Sequence, residues 1–301
     1  MIYIGNVEFR TAKSAGYLGN TGTTYALPII GCKHVGEISK SDIIDILKPI
    51  WADKRETANR LRGRIEAVLS SEQASEFRNS DNPASTNILK NWMDEQGTAV
   101  KENQPALSVI DAQAWWKALR KRDGISARAL EFLTMCASRS GEVRGAEWSE
   151  FDLDEALWII PAKRMKMKRE HRVPLSAEAV ALLKGLDRLE GSPYVFPAAR
   201  GGMLSDMSLS AVMKRMHEAE VKSGRMGWVD GASGRPAVPH GLRSTFRDWT
   251  AEKTDYPRDM AEIALAHNVG SAVERAYRRG DMIDKRREMM AHWVNFLQGE
   301  A

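Results

Sequence analysis

Residues 239–249 read PHGLRSTFRDW, and this stretch predicts a helix that begins with charged side chains. His240 and Arg243 are three residues apart, so both lie on one face of that helix, in its first turn. The first turn of a helix favours a bound anion, because its N–H groups and the macrodipole are positive there. A His-x-x-Arg pair alone is frequent by chance, so its meaning depends on its surroundings.

The chain downstream of this stretch keeps a helical pattern and carries two more residues with useful chemistry. Helices are predicted at residues 258–266, 271–278 and 283–297. His267 follows the first of them and Tyr277 lies in the second. Taken singly, His267 is typical of an imidazole at a helix end, and Tyr277 of a half-buried aromatic residue.

Upstream, an apolar helix predicted at residues 127–137 leads into the sequence CASRSGE, residues 136–142. Gly141 breaks the helical pattern there. Arg139 is therefore expected at a helix junction, where its planar guanidinium group could bind a phosphate through two hydrogen bonds. A surface arginine without a special role is the simpler reading of this residue alone.

Between these regions the pattern predicts a β-hairpin with a basic turn. Residues 157–160 form a short predicted strand that Pro161 stops, residues 172–175 are its predicted partner, and the sequence KRMKMKR at 163–169 lies between them. Such a turn is usually a solvated loop. The register of a hairpin is not determined by sequence alone, so Lys163, Lys166 and Lys168 all remain candidates for a functional lysine.

The chain as a whole predicts a protein that is mainly α with a small antiparallel β-sheet, of the α+β class. Its 301 residues are long enough for two domains, and residues 70–106 form the best linker candidate, because serine, proline and glycine recur there without an apolar period. Residues 1–100 are neutral, so the formal charge of +4 arises in the rest of the chain. Cys32 and Cys136 give no disulfide framework, which fits a cytoplasmic protein.

These motifs, taken in order, resemble the tyrosine recombinases of the phage integrase family, and most closely the integrases of prophages and genomic islands, which are mobile genetic elements. The resemblance is tightest over residues 125–180 and 238–297, and it includes IIP at 159–161 and HRVPLS at 171–176. It implies a catalytic set, with Lys166 favoured among the three lysines and Glu142 as a carboxylate that orients the site. That catalytic set is Arg139, Lys166, His240, Arg243, His267 and Tyr277.

The resemblance also implies two domains that close as a C-shaped clamp around double-stranded DNA. We expect a helical core-binding domain at residues 1–100, which includes RGRIEAVL at 62–69, and a catalytic domain at residues 107–301. The additional N-terminal domain that binds arm-type DNA sites in this family is expected to be absent. An apolar stripe around residues 289–297 packs either on its own domain or, as in the family, on a neighbouring protomer. A homotetramer on DNA is expected, with a monomer in solution as an alternative, and accessory DNA-bending or excision proteins are candidate partners.

The function implied is site-specific recombination, in which a tyrosine cuts DNA through a 3′-phosphotyrosyl intermediate and the strands are then rejoined. No cofactor or metal is expected, because the arginines would balance the phosphate charge and no carboxylate cluster has ligand spacing. Two alternatives share these residues: an inactive DNA-binding remnant of a prophage integrase, and a type IB topoisomerase. The sequence contains no stretch of 18 or more apolar residues, so no membrane span is expected.

Overall fold

The computed structural model describes residues 20–74, 80–97, 103–270 and 280–300. The chain forms two compact units, Met1–Glu102 and Asn103–Ala301. The described residues are mainly helical and contain one three-stranded antiparallel sheet, so the predicted fold class is confirmed. None of the described helices is long and apolar enough to cross a membrane.

The first unit is a small helical bundle. After a π-helical turn at Gly22–Ala26, its helices are α1 (Leu27–Ile30), α2 (Lys40–Trp51), α3 (Arg55–Ala74) and α4 (Thr86–Glu95). Helix α2 begins with a capping box, in which Ser39 and Asp42 satisfy each other's backbone N–H groups. The proline at position 49 lies inside the last turn of α2, and because it has no N–H, the helical hydrogen bond from position 49 to the Asp45 carbonyl is not made.

Part of the predicted linker at residues 70–106 is helical instead, because helix α3 extends to Ala74 and helix α4 occupies Thr86–Glu95. The boundary between the two units, after Glu102, does fall within the predicted stretch. Helix α4 is short, and its apolar residues find their partners on other helices. Leu89 is fully buried, and the Trp92 ring lies 4.8 Å from the Trp51 ring of α2. This packing connects residues distant in sequence, so composition alone gave no sign of it.

The second unit places its helices around the small sheet. Its helices are α5 (Ala112–Arg120), α6 (Ile125–Cys136), α7 (Ser140–Arg144), α8 (Ala177–Lys184), α9 (Ser208–Lys222), α10 (Gly241–Lys253), α11 (Arg258–Ala264) and α12 (Ile283–Gln298). Its strands are β1 (Phe151–Asp152), β2 (Leu157–Ile160) and β3 (His171–Pro174), in the order β1-β2-β3. Strands β2 and β3 form the predicted hairpin and pair from Leu157 with Pro174 to Ile160 with His171.

The core of the second unit is rich in tryptophan and phenylalanine, and helix α12 contributes its apolar stripe to it. Trp293 is almost fully buried, and its indole N–H donates to the carbonyl of Thr134 at 2.8 Å. Met289, Met290 and Leu297 are buried as well. Of the two readings of this stripe, packing on its own domain is therefore the arrangement in this structure.

One buried carboxyl group of this unit gives a pH dependence. Glu131 on α6 is 1% exposed, and burial raises its pKa to about 7 against the opposing charges of Arg128 and Arg120. In the unfolded chain this group ionises near its ordinary pKa of 4.5. The folded protein therefore loses stability as the pH rises from about 4.5 to 7, by at most about 1.4 kcal/mol per pH unit.

We expect Glu131→Gln to raise the free energy of unfolding relative to the parent chain, and to do so more at pH 8 than at pH 5. Urea titrations of both proteins at the two pH values measure this gap. Glu218→Gln is the matched control, because the Glu218 side chain is 58% exposed and should give no pH-dependent gap. A Glu131→Gln effect of equal size at both pH values would contradict the prediction.

Candidate functional site

The site is built around two helix ends of the same type. Helix α6 ends with Ala137 in the left-handed conformation, at φ 48°, and helix α11 is followed by Ala266 at φ 50°. At α11 the N–H of His267 donates to the Glu262 carbonyl at 2.9 Å, and the N–H of Ala266 donates to Ile263 at 2.9 Å. This pair of bonds is a Schellman motif.

The bonds at the end of α6 follow the same pattern. The N–H of Ser138 donates to the Leu133 carbonyl at 3.2 Å, and the N–H of Ala137 donates to Thr134 at 3.3 Å. The motif stops the helix within one residue, so the chain turns away at Ser138. Arg139 follows directly and precedes helix α7, at the helix junction that the sequence predicts.

The last carbonyl groups of α11 receive side chains from three other elements. Leu265 O accepts from both Arg139, at 3.3 Å, and Arg243, and Ala266 O accepts from Arg139 at 3.5 Å. His171 of β3 lies 3.2 Å from Ala264 O and donates through Nε2. The last carbonyls of a helix lack partners within it and carry partial negative charge, so cationic donors stabilise them.

Arg243 joins the two helix ends. It is 4% exposed, and its guanidinium group donates to Ala137 O at 2.6 Å, to Leu265 O, and to Nε2 of His267 at 3.3 Å. Burial and the nearby charge of Arg139 lower its pKa to about 10, so the group stays charged at neutral pH. The predicted residues Arg139, Arg243 and His267 therefore lie together in the structure.

A carboxylate holds Arg139 in place. One oxygen of Glu142 accepts from the backbone N–H of Arg139 and the other from its Nη1, both at 2.8 Å. Glu142 is 5% exposed, whereas the Arg139 side chain is 20% exposed. Arg139 is thus held by the buried Glu142, and its own side chain stays partly exposed to solvent.

His240 lies immediately before helix α10 and is set there by a close backbone contact. A side chain at Gly241 would place a Cβ atom 1.9 Å from the carbonyl oxygen of Pro105, so only glycine fits. His240 is exposed. Partial desolvation and the positive charges of Arg243, Arg139, His267 and Lys166 lower its pKa, which favours the neutral imidazole.

His267 has a carboxylate partner on its outer side. Its Nδ1 lies 2.6 Å from Oε2 of Glu262, whose other oxygen accepts from Nε of Arg247 at 2.7 Å. Burial alone would raise the pKa of Glu262, but the hydrogen bonds from His267 and Arg247 hold it below its ordinary value. An unbroken chain of polar contacts thus runs from Arg247 through Glu262 and His267 to Arg243.

Two of the three candidate lysines on the basic hairpin, Lys166 and Lys163, have different surroundings. Lys166 is exposed, and its charge acts on His240. Lys163 instead lines a separate surface cavity together with Glu147 and Asp152. The turn contains Lys168 in a left-handed conformation, at φ 53°.

Arg164 anchors this turn to the rest of the unit. Its guanidinium group donates to the carboxylate of Glu150 and to the backbone carbonyl of Glu142. Glu150 also accepts from the Trp158 indole at 2.9 Å. The hairpin is therefore tied to the helix that carries Glu142, and hence to the Arg139 region.

An open cavity of about 480 Å³ lies beside Arg243 and His267. The residues that line it include His240, Arg243, Ser244, Arg247, Glu262 and His267. Positively charged groups outnumber the acids in this set. In the described ranges, no group of three His, Cys, Asp or Glu residues is placed to hold a metal ion. Tyr277, the sixth predicted site residue, lies outside the described residues.

Sequence reasoning missed two residues of this site. His171 was noted only as part of a flanking sequence, yet burial and the charge of Arg286 lower its pKa to about 4, so it is a neutral donor. Glu262 carried no motif of its own. The spacing of five between Glu262 and His267, across a helix end, was the available signal, because a Schellman motif brings those two positions together.

Comparisons with known proteins agree with this architecture. The sequence profile of the phage integrase family matches residues 109–282, and that of the phage integrase central domain matches residues 6–88. Prophage integrase IntA of Escherichia coli K12 is 30% identical over 279 residues, which cover 90% of this chain and 62% of IntA. The integrase of Enterobacteria phage P4 is 28% identical over 292 residues, covering 91% of this chain and 62% of that protein.

Among solved structures, a lambda integrase tetramer bound to a Holliday junction has a similar fold. The TM-score is 0.57 at 16% identity, with 90% of this chain and 76% of the lambda chain covered. The chain spans 62% of the length of both IntA and the phage P4 integrase.

The helix end at Ala266 predicts an unusual response to glycine. We expect Ala266→Gly to stabilise the protein by about 0.5–1 kcal/mol, because a left-handed conformation is costly for alanine and not for glycine. Ala251→Gly, at an exposed position inside α10, is the control and should cost about 1 kcal/mol. Urea unfolding measures both, and destabilisation by Ala266→Gly as large as that of the control would contradict the assignment.

Proposed function

Because this chain belongs to the phage integrase family, we propose that it is a site-specific DNA recombinase of the tyrosine recombinase type. The observation that carries the proposal is the meeting of Arg139 and Arg243 on one carbonyl group, with His267 in contact with Arg243. Two arginines that donate to the same carbonyl oxygen lie close enough together to bind a single phosphodiester group.

In the proposed reaction, Arg139 and Arg243 balance the charge of the non-bridging phosphate oxygens. The phenol oxygen of Tyr277 attacks the phosphorus atom and forms a 3′-phosphotyrosyl bond, while the bond to the 5′-oxygen breaks. Neutral His240 suits the task of accepting the phenol proton, and Lys166 supplies a proton to the leaving 5′-oxygen. Attack by a 5′-hydroxyl of another strand reverses these steps and rejoins the DNA.

The energy of the broken phosphodiester is kept in the phosphotyrosyl bond, so the reaction requires no nucleotide cofactor. Glu142 would orient Arg139 for this chemistry through its two hydrogen bonds. His267 would place its ring beside the phosphate, next to Arg243.

The proposed substrate is double-stranded DNA, bound mainly through its phosphates. The helical unit at Met1–Glu102 is the proposed core-binding domain, and the unit at Asn103–Ala301 the catalytic domain. The lambda integrase chain with a similar fold forms a tetramer on a Holliday junction. We propose the same number of copies for this chain on DNA, acting in the cytoplasm, with DNA-bending or excision proteins as accessory partners.

The central test is capture of the covalent intermediate. The protein is incubated with sheared genomic DNA of its source organism and denatured in detergent, and the DNA still attached to protein is recovered and sequenced. Digestion of that DNA and mass spectrometry then locate the modified residue. We expect the nucleotide on Tyr277, no adduct with Tyr277→Phe, and normal adduct with the matched control Tyr256→Phe.

The alternatives give different outcomes in the same experiment. DNA binding without any adduct would favour the inactive remnant, and an adduct that persists in Tyr277→Phe would refute the assignment of the nucleophile. Relaxation of a supercoiled plasmid that carries no recovered site would favour the topoisomerase.

The role of Lys166 has a separate test on a duplex made from the recovered sequence. We expect Lys166→Ala to slow cleavage by about 10²–10⁴-fold, the usual contribution of a general acid. A substrate with sulfur in place of the bridging 5′-oxygen should restore most of this rate, because a thiolate leaves without a proton.

The matched control for this test is Lys163→Ala, which removes the same charge from the same turn and should cleave both substrates like the parent chain. Restoration by sulfur in Lys163→Ala or Lys168→Ala instead would move the role to that lysine.

A further inference from the structure

We infer that Glu262 is a positioning residue for strand cleavage, which acts by fixing the ring orientation and the tautomer of His267. The inference rests on the proposed function and adds a residue to it. The Nδ1 atom of His267 lies 2.6 Å from Oε2 of Glu262, and Nε2 lies 3.3 Å from Nη2 of Arg243. Both ring nitrogens are therefore engaged, Nδ1 by the Glu262 carboxylate and Nε2 by the Arg243 guanidinium group.

The two partners together determine where the ring proton lies. An arginine has only donors, so Nε2 must accept the hydrogen bond from Arg243. The proton is consequently on Nδ1, which donates it to the Glu262 carboxylate. His267 thus accepts from Arg243 through the Nε2 lone pair, which holds the ring beside the guanidinium group that would bind the phosphate.

The backbone holds Glu262 in register with the ring. The helix end that stops α11 makes the N–H of His267 donate to the Glu262 carbonyl at 2.9 Å. The same two residues thus contact each other through both main chain and side chain. In Schellman motifs this pair of positions often makes an apolar contact, whereas here the contact is a carboxylate with an imidazole.

A second contact keeps the carboxylate charged and oriented. Arg247 donates to Oε1 of Glu262 at 2.7 Å, so each oxygen of the carboxylate has one donor. The Glu262 side chain is only 17% exposed, while Arg247 and His267 are 47% and 41% exposed. Glu262 lines the same cavity but is less exposed than its two partners, and both of its oxygens are engaged by them, so it would orient them rather than bind the phosphate.

The substitution Glu262→Gln (E262Q) would disturb this arrangement with little change in shape. An amide has one accepting and one donating end, whereas both Arg247 and the Nδ1–H of His267 are donors. If the amide nitrogen faces His267, the ring proton moves to Nε2 and is directed at Arg243. If the amide nitrogen faces Arg247, the hydrogen bond from Arg247 is lost. In both orientations the negative charge beside His267 is lost.

The first measurement uses the DNA-free protein. Nitrogen-15 NMR of histidine-labelled protein distinguishes protonated from unprotonated ring nitrogens, and His267→Gln assigns the signal among the six histidines. We expect the Nδ1–H form of His267 in the parent chain and a changed tautomer population in E262Q. Equal tautomer populations in both proteins would overturn the inference, whatever the activity of the chain.

The second measurement is the rate of covalent adduct formation on the duplex recovered above. We expect E262Q to be slower by about 10- to 100-fold, by analogy with the loss when a carboxylate that orients a metal-bound histidine is removed. DNA affinity should be unchanged, and E262D, which keeps the charge, should recover part of the rate. Glu252→Gln removes one exposed acid from α10 and should behave like the parent chain.

A double-mutant cycle separates positioning from a general effect on the fold. If Glu262 acts through His267, E262Q should cause no further loss of rate in a His267→Ala background. Additive losses, or a parent-like rate for E262Q, would overturn the inference. If the parent chain itself forms no adduct, the proposed function fails instead, and the NMR result still decides whether Glu262 sets the tautomer.

Discussion

The buried guanidinium group of Arg243 is the interaction on which the site depends. Removing such a charge from water costs several kcal/mol, so it is tolerated only where strong acceptors surround it. Two of the acceptors are main-chain carbonyls at the ends of α6 and α11, and the third is the His267 ring. Because one side chain bridges both ends, Arg139 after α6 and His267 after α11 are brought into the same small space.

The two helix ends explain why this space is open to a ligand. Each helix stops at an alanine in the left-handed conformation, so the chain turns sharply and leaves its last carbonyls available to side chains from other elements. Arg139 and Arg243 satisfy these carbonyls with some of their N–H groups. Arginine has five such groups, which leaves further donors for a phosphate. The hairpin that carries Lys166 is attached to the same region, because Arg164 donates to the Glu142 carbonyl.

The sequence predicted the elements that are defined by local patterns. The strand Leu157–Ile160 has the predicted bounds, and the helix predicted at residues 239–249 is present as Gly241–Lys253. The resemblance to the phage integrase family is confirmed by its profile match. Helix α4 escaped prediction because its apolar face is complete only against Trp51 of another helix. The meeting point at Leu265 was also hidden, because a main-chain oxygen has no signature in sequence. Glu262 was overlooked for a related reason, since its pairing arises from a turn geometry.

The Leu265 carbonyl has a consequence for how the site can change over evolutionary time. Every amino acid carries the same carbonyl oxygen, so no codon change at position 265 deletes the acceptor that the two arginines share. Drift at this position alters only the side chain, which is buried in the core. A missense change at position 265 thus cannot remove this carbonyl oxygen. Point mutations that inactivate the site have to act through the arginines, their other neighbours or the stability of the turn itself.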